Sequence, residues 1–314
     1  MFIDIEKCVR AATRILLVSD GRPDGDSIGS TVGFYHWVRA LGKDVSMFCV
    51  EPLPKPLLIV DGAHDVSRDQ GLFARSYDLI ITFDAGDLRH CGIETLLPTT
   101  PPGYTLVVFD HHSTNQRYGD VNAVFTDACS TAEVVYRFFQ DRGISINDRM
   151  ATALLIGICH DTTCFSNSGT TSAGAEAASA LISCGARFLD VVNSIFKTKT
   201  TDGLKLWGLA LSRLHHNTAF DIVTTYFLEE DLRAPGADEA VDGMSNFLNT
   251  VCGDTDTILV LKQAPNNKIK GSLRSVRRDI SRVAKLLGGG GHKKASGFMI
   301  DGTLIETPNG VRVG

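Results

Sequence analysis

Three aspartates crowd a seven-residue stretch that follows an apolar run near the N-terminus. Asp20, Asp24 and Asp26 stand in "LVSDGRPDGDSIGS", residues 17–30. Carboxylates placed this close together repel one another unless positive charge lies among them. The stretch therefore predicts a site for a cation.

A second chemical signal is the triplet Asp110-His111-His112 in "FDHHSTN", which directly follows another apolar run. Adjacent imidazoles at a strand end point in different directions, so one can ligate a metal while the other faces a substrate. Asp84 ends the apolar run "YDLIITFD" in the same way.

The last acid of interest is Asp161, which follows the apolar helical segment "ATALLIGICH". An aspartate at this end of a helix opposes the helix dipole and is costly to bury without a partner. A bound cation would offset both the unfavourable interaction with the helix dipole and the cost of burial. The isolated histidines His160, His215 and His216 are instead predicted to be ordinary core or surface residues.

The elements around these residues alternate along the first half of the chain. Strands are predicted over residues 14–19, 44–50, 77–84 and 105–110, and helices over 27–42, 130–143 and 147–162. This order indicates an α/β fold with a mostly parallel sheet flanked by helices. Ligands bind such sheets beyond the carboxyl ends of the strands, where the aspartates of the predicted site fall.

The second half has a different pattern, which predicts a smaller α/β domain. Strands are expected near 219–228, 256–262 and 268–274, and helices over 188–214, 238–251 and 279–287, before the glycine run "GGGGHKKASG".

Composition limits the classes of protein and of partner. Hydrophobic residues make up 43% and charged residues 21% of the 314 residues, as in globular proteins. No apolar run approaches the roughly 20 residues of a membrane span, so no membrane partner is expected. The eight cysteines are scattered without a metal-ligand spacing, which favours free thiols in a reducing cytoplasm.

Charge is unevenly spread along the chain. Residues 268–294 hold nine lysines and arginines against one acid, so this segment is +8 while the whole chain is −5. A solvated basic face is one interpretation. An acidic body with a basic end also suggests a metal site that faces an anion-binding site.

The ordered motifs "PDGD", "FDAGD", "DHH" and "GICHDTTCF" resemble those of the DHH phosphoesterases. The later "GSLRS" and "GGGGHKKASG" resemble the DHH-associated C-terminal domain, so that the resemblance covers about residues 10–300. Within the family, the length and the two-domain layout resemble the stand-alone nanoRNases that also act as pAp phosphatases. The implied domains are a DHH catalytic domain over 1–187, a helical linker over 188–204, a DHH-associated substrate-binding domain over 205–303, and a tail over 304–314.

The resemblance implies a role for each matching residue. One divalent ion would be held by Asp20, Asp24 and Asp84, and the other by Asp26, Asp84, His111 and Asp161, with Asp84 as the bridge. His112 would contact the scissile phosphate and complete the catalytic set of Asp84, His111, His112 and Asp161. Oxygen-rich ligation with an imidazole suits Mn²⁺, with Mg²⁺ as the second candidate.

The C-terminal motifs would bind substrate. Glycines carry no Cβ, so their backbone N–H groups can approach a phosphate closely. The implied contacts beside His112 are Arg274, Gly289, Gly290, Gly291, His292 and Lys293.

One position departs from the family pattern. The family has a histidine four residues before the first aspartate of "PDGD", where this chain has Asp20. Asp20 is either a ligand that replaces the imidazole or a strand-end residue without a ligand role. Five carboxylates around two divalent ions would leave the site at −1, whereas four would leave it neutral.

The expected activity is metal-assisted hydrolysis of short oligoribonucleotides, such as pApA-like dinucleotides, to 5′-mononucleotides, and of pAp to AMP. The overall acidity argues against long duplex nucleic acid as a partner, and the resemblance alone suggests a homodimer. Two alternatives remain: a family II type inorganic pyrophosphatase, against which the C-terminal motifs argue, and a nucleotide-binding protein whose metal site Asp20 has disabled.

Overall fold

The computed structural model describes residues 1–197, 199–291, 293–307 and 310–314. The chain divides into two compact units, Met1–Thr198 and Lys199–Gly314. Among the described residues, no helix is both long and apolar enough to cross a membrane.

The first unit is built on a six-stranded parallel sheet. Its strands, in chain order, are β1 Arg14–Ser19, β2 Asp44–Phe48, β3 Val66–Ser67, β4 Leu79–Phe83, β5 Thr105–Asp110 and β6 Val121–Val124. The spatial order is β3-β2-β1-β4-β5-β6, and every neighbouring pair is parallel. The parallel α/β architecture predicted from the sequence is thus confirmed.

Among its described residues this unit has six α-helices: α1 Phe2–Ala11, α2 Gly25–Ala40, α3 Thr131–Asp141, α4 Asp148–Asp161, α5 Ser172–Ser183 and α6 Phe188–Phe196. Helix α2 begins two residues earlier than predicted because Asp24 caps it. The Asp24 carboxylate accepts hydrogen bonds from the N–H groups of Asp26 and Ser27.

Both faces of the sheet are buried, which explains why its strands are continuous apolar runs. Along β1, Ile15 and Leu17 face a core that also contains the rings of Phe34 and Phe109. The alternate residues Leu16 and Val18 face a second core on the opposite side. The alternation of Cβ directions along a strand produces this division.

Glycines let α2 and α4 approach closely. A Cβ on Gly29 would lie 2.3 Å from the carbonyl oxygen of Ala153, and a Cβ on Gly25 would lie 2.5 Å from the Cβ of His160. A Cβ on Gly157 of α4 would lie 2.8 Å from Oδ1 of Asp26. The beginning of α2 and the end of α4 are therefore held together by backbone contact.

The second unit contains a mixed sheet. Its strands are β7 His215–Asn217, β8 Ile222–Phe227, β9 Thr257–Ala264, β10 Lys268–Ser275, β11 Gly290–Gly291 and β12 Ala295–Asp301. Their order is β11-β12-β10-β9-β8-β7, and among these described strands only the pair β8–β9 is parallel. A separate hairpin of β13 Leu304–Thr307 and β14 Gly310–Val313 occupies the segment that was predicted as a tail.

The helices of this unit are α7 Thr201–Ser212, α8 Ala237–Ala240, α9 Met244–Val251 and α10 Ser281–Leu286. The prediction of one helix over 238–251 is wrong, since α8 and α9 are separate. Gly243 lies between them with φ 88°, a left-handed conformation that interrupts a right-handed helix. The helical stretch predicted over 188–214 is likewise divided into α6 and α7.

We expect Gly29→Ala to destabilise the first unit by roughly 1–3 kcal/mol, because a carbonyl oxygen has no room to move away from the new methyl group. Thermal unfolding followed by circular dichroism, which reports on the helices of both units, measures the effect. Gly208→Ala in α7 is the control, since no described atom outside its chain neighbours and the adjoining backbone of its own helix lies within 4 Å of its Cβ position. An unchanged melting temperature in Gly29→Ala would contradict the packing argument.

Candidate metal centre

The aspartates of the predicted site lie close together because three parallel strands end side by side. Ser19 of β1 pairs with Phe83 of β4, which pairs with Phe109 of β5. The residues that follow these positions therefore share one edge of the sheet, and α2 and α4 bring the remaining acids to it.

Asp26 and Asp84 are the buried acids of the cluster. Asp26 is fully buried and accepts hydrogen bonds from the N–H groups of Thr131 and Ala132 at the start of α3, at 2.6 and 2.8 Å. Asp84 accepts a hydrogen bond from the Thr131 hydroxyl at 2.9 Å. The backbone of Asp84 has φ 63°, a conformation that costs free energy for a residue other than glycine and is concentrated at functional sites.

His111 points one ring nitrogen into this cluster. Its Nδ1 lies 3.3 Å from the carbonyl oxygen of Ala128, a donor position that leaves Nε2 as the ring nitrogen available to a cation. Nε2 lies 3.2 Å from Asp161 Oδ2, 3.7 Å from Asp84 Oδ1 and 3.9 Å from Asp26 Oδ2. It is buried and has no partner in hydrogen-bonding geometry.

This orphaned nitrogen is the observation that tests whether the residues fit a metal ion. Metal-ligating histidines commonly donate the other ring N–H to a backbone carbonyl or a carboxylate, as His111 does to Ala128. Together with the surrounding carboxylate oxygens it offers the donor set of a Mn²⁺ or related site. The residues therefore fit a divalent cation.

His112 is held differently from its neighbour. Its Nδ1 lies 2.8 Å from Oδ1 of Asp110, a buried carboxylate that also accepts a hydrogen bond from Asn115 at 2.6 Å. Because Nδ1 is committed to Asp110, only Nε2 is free for another contact. The hydrogen bond to Asp110 raises the pKa of His112 above its ordinary value.

Three groups of potential ligands emerge, and in each the donor atoms all lie within 4.8 Å of one another. They are Asp84, His111 and His112; Asp24, His160 and Asp161; and Asp26, His111 and Asp161. Among the described residues, none of these groups includes Asp20. Oδ1 of Asp20 instead accepts a hydrogen bond from the N–H of Arg22 at 2.7 Å.

The electrostatics of the cluster favour a cation. Burial, followed by repulsion from Asp161, raises the pKa of Asp26 to about 7, and burial raises the pKa of Asp84 well above its usual range. Burial opposes charge on His111, but Asp161 and Asp26 outweigh it and raise the pKa of His111 to about 9. Without metal, protons supply the balancing positive charge.

Four contributors were not identified from the sequence. His160, predicted to be an ordinary core or surface residue, lies beside Asp24 and Asp161, and its position next to Asp161 was the available signal. Asp110 was identified as a strand end only, whereas Asn115 and Thr131 carry no sequence signal for their contacts with the cluster.

The predicted substrate-binding residues lie in the second unit. Arg274 lines a cavity of about 210 Å³ with Lys262, Lys270, Ser272 and Asn246, among others, and its Nε donates to Asn246 Oδ1 at 2.6 Å. Burial lowers the pKa of the Arg274 guanidinium.

The glycine run joins the sheet beside β12. Gly290 and Gly291 pair with Gly297 and Ser296, and a Cβ on Gly289 would lie 2.1 Å from the Gly297 carbonyl oxygen. The Gly289 N–H donates to the carbonyl of Ala284, so this N–H is not free for a phosphate. The carbonyl of Lys293 accepts the N–H of Ile280, and His292 lies outside the described residues.

A buried aspartate–histidine cluster at the carboxyl edge of a parallel sheet is the arrangement of a metal-dependent hydrolase. Residues 14–158 match the DHH family, N-terminal domain, and residues 223–307 match the DHHA1 domain. The chain belongs to the DHH family, and it is an enzyme of the phosphoester-hydrolysing type.

Among the curated relatives are proteins named bifunctional oligoribonuclease and PAP phosphatase NrnA. The protein from Thermus thermophilus is 27% identical over 286 residues, which cover 90% of this chain and 83% of the relative. The protein from Bacillus subtilis is 25% identical over 295 residues, which cover 91% and 89%. An exopolyphosphatase-related protein from Bacteroides fragilis shares the fold, with a TM-score of 0.88 at 24% identity over 96% of this chain and 91% of that one.

We expect the metal-free protein to lose stability as the pH rises from 5.5 to 8. Asp26 and Asp84 hold protons in the folded state that the unfolded chain releases near pH 4, and His111 does the same above pH 6.5, so folding binds protons and is opposed by rising pH. The lowered pKa of Asp161, about 2, acts only below this window.

The melting temperature in EDTA should fall by at least about 3 °C across this range, the shift that roughly 1 kcal/mol produces in a domain of this size. Added Mn²⁺ should reverse the fall, and Asp26→Asn should flatten the dependence. A wild-type melting temperature that does not change with pH would show that folding does not raise the pKa values of Asp26, Asp84 and His111.

Proposed function

We propose that the protein hydrolyses short oligoribonucleotides, including pApA-like dinucleotides, to 5′-mononucleotides and converts pAp to AMP. The observation that carries the proposal is the convergence of Asp24, Asp26, Asp84, His111 and Asp161 at one sheet edge. The names and the near full-length match of the relatives support this substrate class.

Two divalent ions, Mn²⁺ in preference to Mg²⁺, would be held by this cluster. When bound, such ions supply an activated water and stabilise the leaving oxygen of an in-line displacement at phosphorus. Asp26 and Asp84 would be preorganised ligands, because hydrogen bonds from the start of α3 hold both carboxylates in place before any ion binds. Asp20 is not part of the ligand set in this proposal.

His112 would orient the scissile phosphate. Asp110 fixes the ring through Nδ1 and raises its pKa, so that the imidazolium form can donate from Nε2 to a phosphoryl oxygen. A charge-assisted hydrogen bond of this kind is stronger than one between neutral groups. The His112 side chain is 37% exposed, which leaves it accessible to a ligand.

The second unit would supply groups that bind the phosphates of the substrate. The cavity with Lys270 and Arg274 gathers positive charge and hydroxyl groups, which suit a phosphate. Three of the nine cations in 268–294 are already paired with acids, namely Lys268, Arg277 and Arg278. The reduced basic surface favours short substrates over long duplexes.

We place the enzyme in the cytoplasm, because all eight cysteines are unpaired thiols, the state that a reducing compartment maintains.

The purified protein loaded with Mn²⁺ should release 5′-mononucleotides from pNpN dinucleotides and phosphate from pAp. The direct test is chromatography of the products with dinucleotide, pAp and pyrophosphate as separate substrates. Hydrolysis of pyrophosphate alone would instead support a pyrophosphatase. Binding of the dinucleotide without turnover would indicate a nucleotide-binding protein.

Asp84→Asn should lower kcat by at least about 10³-fold and leave dinucleotide binding measurable, because it removes a central carboxylate charge. Asparagine tolerates the left-handed backbone of this position, so the fold should persist. A variant that keeps wild-type turnover would remove Asp84 from the mechanism.

Arg274→Ala should raise KM for dinucleotides roughly tenfold with a smaller change in kcat, because it removes a guanidinium from the phosphate cavity. Arg277→Ala is the matched control, since Arg277 is largely exposed and lies 3.5 Å from Asp256. Equal effects of the two substitutions would show that the cavity has no specific role.

A further inference from the structure

His160 is the last residue but one of α4, and the proposed function gives it no chemical role. We propose that His160 is a metal ligand and forms, with Asp24 and Asp161, a second ion site beside the one formed by Asp26, His111 and Asp161. This inference rests on the proposed metal-dependent function, but the experiment that tests it measures metal binding and not hydrolysis.

The geometry of the three donors suits a shared ion. Nδ1 of His160 lies 3.8 Å from Asp24 Oδ2 and 3.8 Å from Asp161 Oδ1. Donor atoms that each stand about 2.1 Å from one ion are separated by roughly 3–4 Å. These distances exceed those of hydrogen bonds, so the three side chains surround a space and do not satisfy one another directly.

The two oxygens of Asp161 face different histidines. Oδ1 is the atom near His160, and Oδ2 is the atom 3.2 Å from Nε2 of His111. A carboxylate shared in this way can join two ions, each of which also has one imidazole and one further aspartate. Asp161 therefore offers one oxygen to each site, beside the bridge that the sequence predicts for Asp84.

Asp24 has one carboxylate oxygen available for an ion. Its Oδ1 accepts the N–H groups of Asp26 and Ser27 and so caps α2, whereas Oδ2 is the atom that faces His160. The cap fixes the carboxylate, and the absence of a Cβ on Gly25 leaves the room that the His160 side chain occupies. A ligand set held by two packed helix ends is preorganised, which reduces the free-energy cost of binding an ion.

The chemical class of the ion follows from the donors. Two carboxylates and an imidazole suit Mn²⁺, Co²⁺ or Zn²⁺, whereas Mg²⁺ prefers a site made of oxygens alone. A neutral imidazole also adds a ligand without adding negative charge. Asp20, whose pKa is raised by burial, would add such charge.

The experiment is a Mn²⁺ titration of the full-length protein, followed by calorimetry and by the EPR signal of free Mn²⁺. Wild type should bind two ions. His160→Ala and the similarly sized His160→Asn should bind one ion with wild-type affinity and the second at least tenfold more weakly. Their melting temperatures in EDTA should match wild type and show that the fold is retained.

Two control variants give the comparison its specificity. His64→Ala removes an exposed histidine of the same unit and should leave both affinities unchanged. Asp20→Ala should change them less than threefold. Pulsed EPR of the two-Mn²⁺ protein should show imidazole ¹⁴N couplings from two histidines, of which only the coupling from His111 should remain in His160→Ala.

Wild-type stoichiometry and affinities in both His160 variants, or binding of only one ion by wild type, would overturn the proposal. Loss of the second ion in Asp20→Ala but not in His160→Ala would assign the ligand to Asp20. The proposed function fails by a different result, namely that wild type binds two ions and hydrolyses no dinucleotide.

Discussion

Mutual repulsion among buried carboxylates is the constraint on which the rest of the structure depends. Asp26 and Asp84 lie at the edge of a parallel sheet with little access to water, and their pKa values rise as a consequence. Such a cluster is costly to fold unless a cation or protons balance it. The start of α3 helps by donating two N–H groups to Asp26, where the helix dipole favours negative charge. The remaining imbalance makes the site a receptor for metal ions.

Close helix packing brings the other ligands to the same place. Gly25 and Gly29 of α2 lie against the backbone or Cβ atoms of α4, so side chains at the beginning of one helix reach those at the end of the other. Three consecutive residues after α4, Thr163, Cys164 and Phe165, adopt positive φ angles. This unusual turn ends the helix abruptly at Asp161, and the cost of its strain is consistent with a functional role.

Much of this arrangement could be predicted from the sequence, because the strands are continuous apolar runs with acids at their carboxyl ends. Asp20, Asp84 and Asp110 could be assigned to one sheet edge on that basis, and the parallel fold is confirmed. The contribution of His160 could not be predicted, since it depends on the contact between α2 and α4, which lie far apart in sequence. The break at Gly243 was also missed, because the hydrophobic periodicity continues through this position. The left-handed backbone of Gly243 nevertheless interrupts the helix. The roles of Asn115 and Thr131 depend on tertiary distances that no local pattern records.

The central claim is that these side chains hold two metal ions at the edge of the first sheet. Anomalous diffraction at the manganese edge from crystals grown with Mn²⁺ tests it most directly. Two peaks are expected, one next to Asp26 and His111 and the other next to Asp24 and His160. A single peak, or density outside this cluster, would contradict the account.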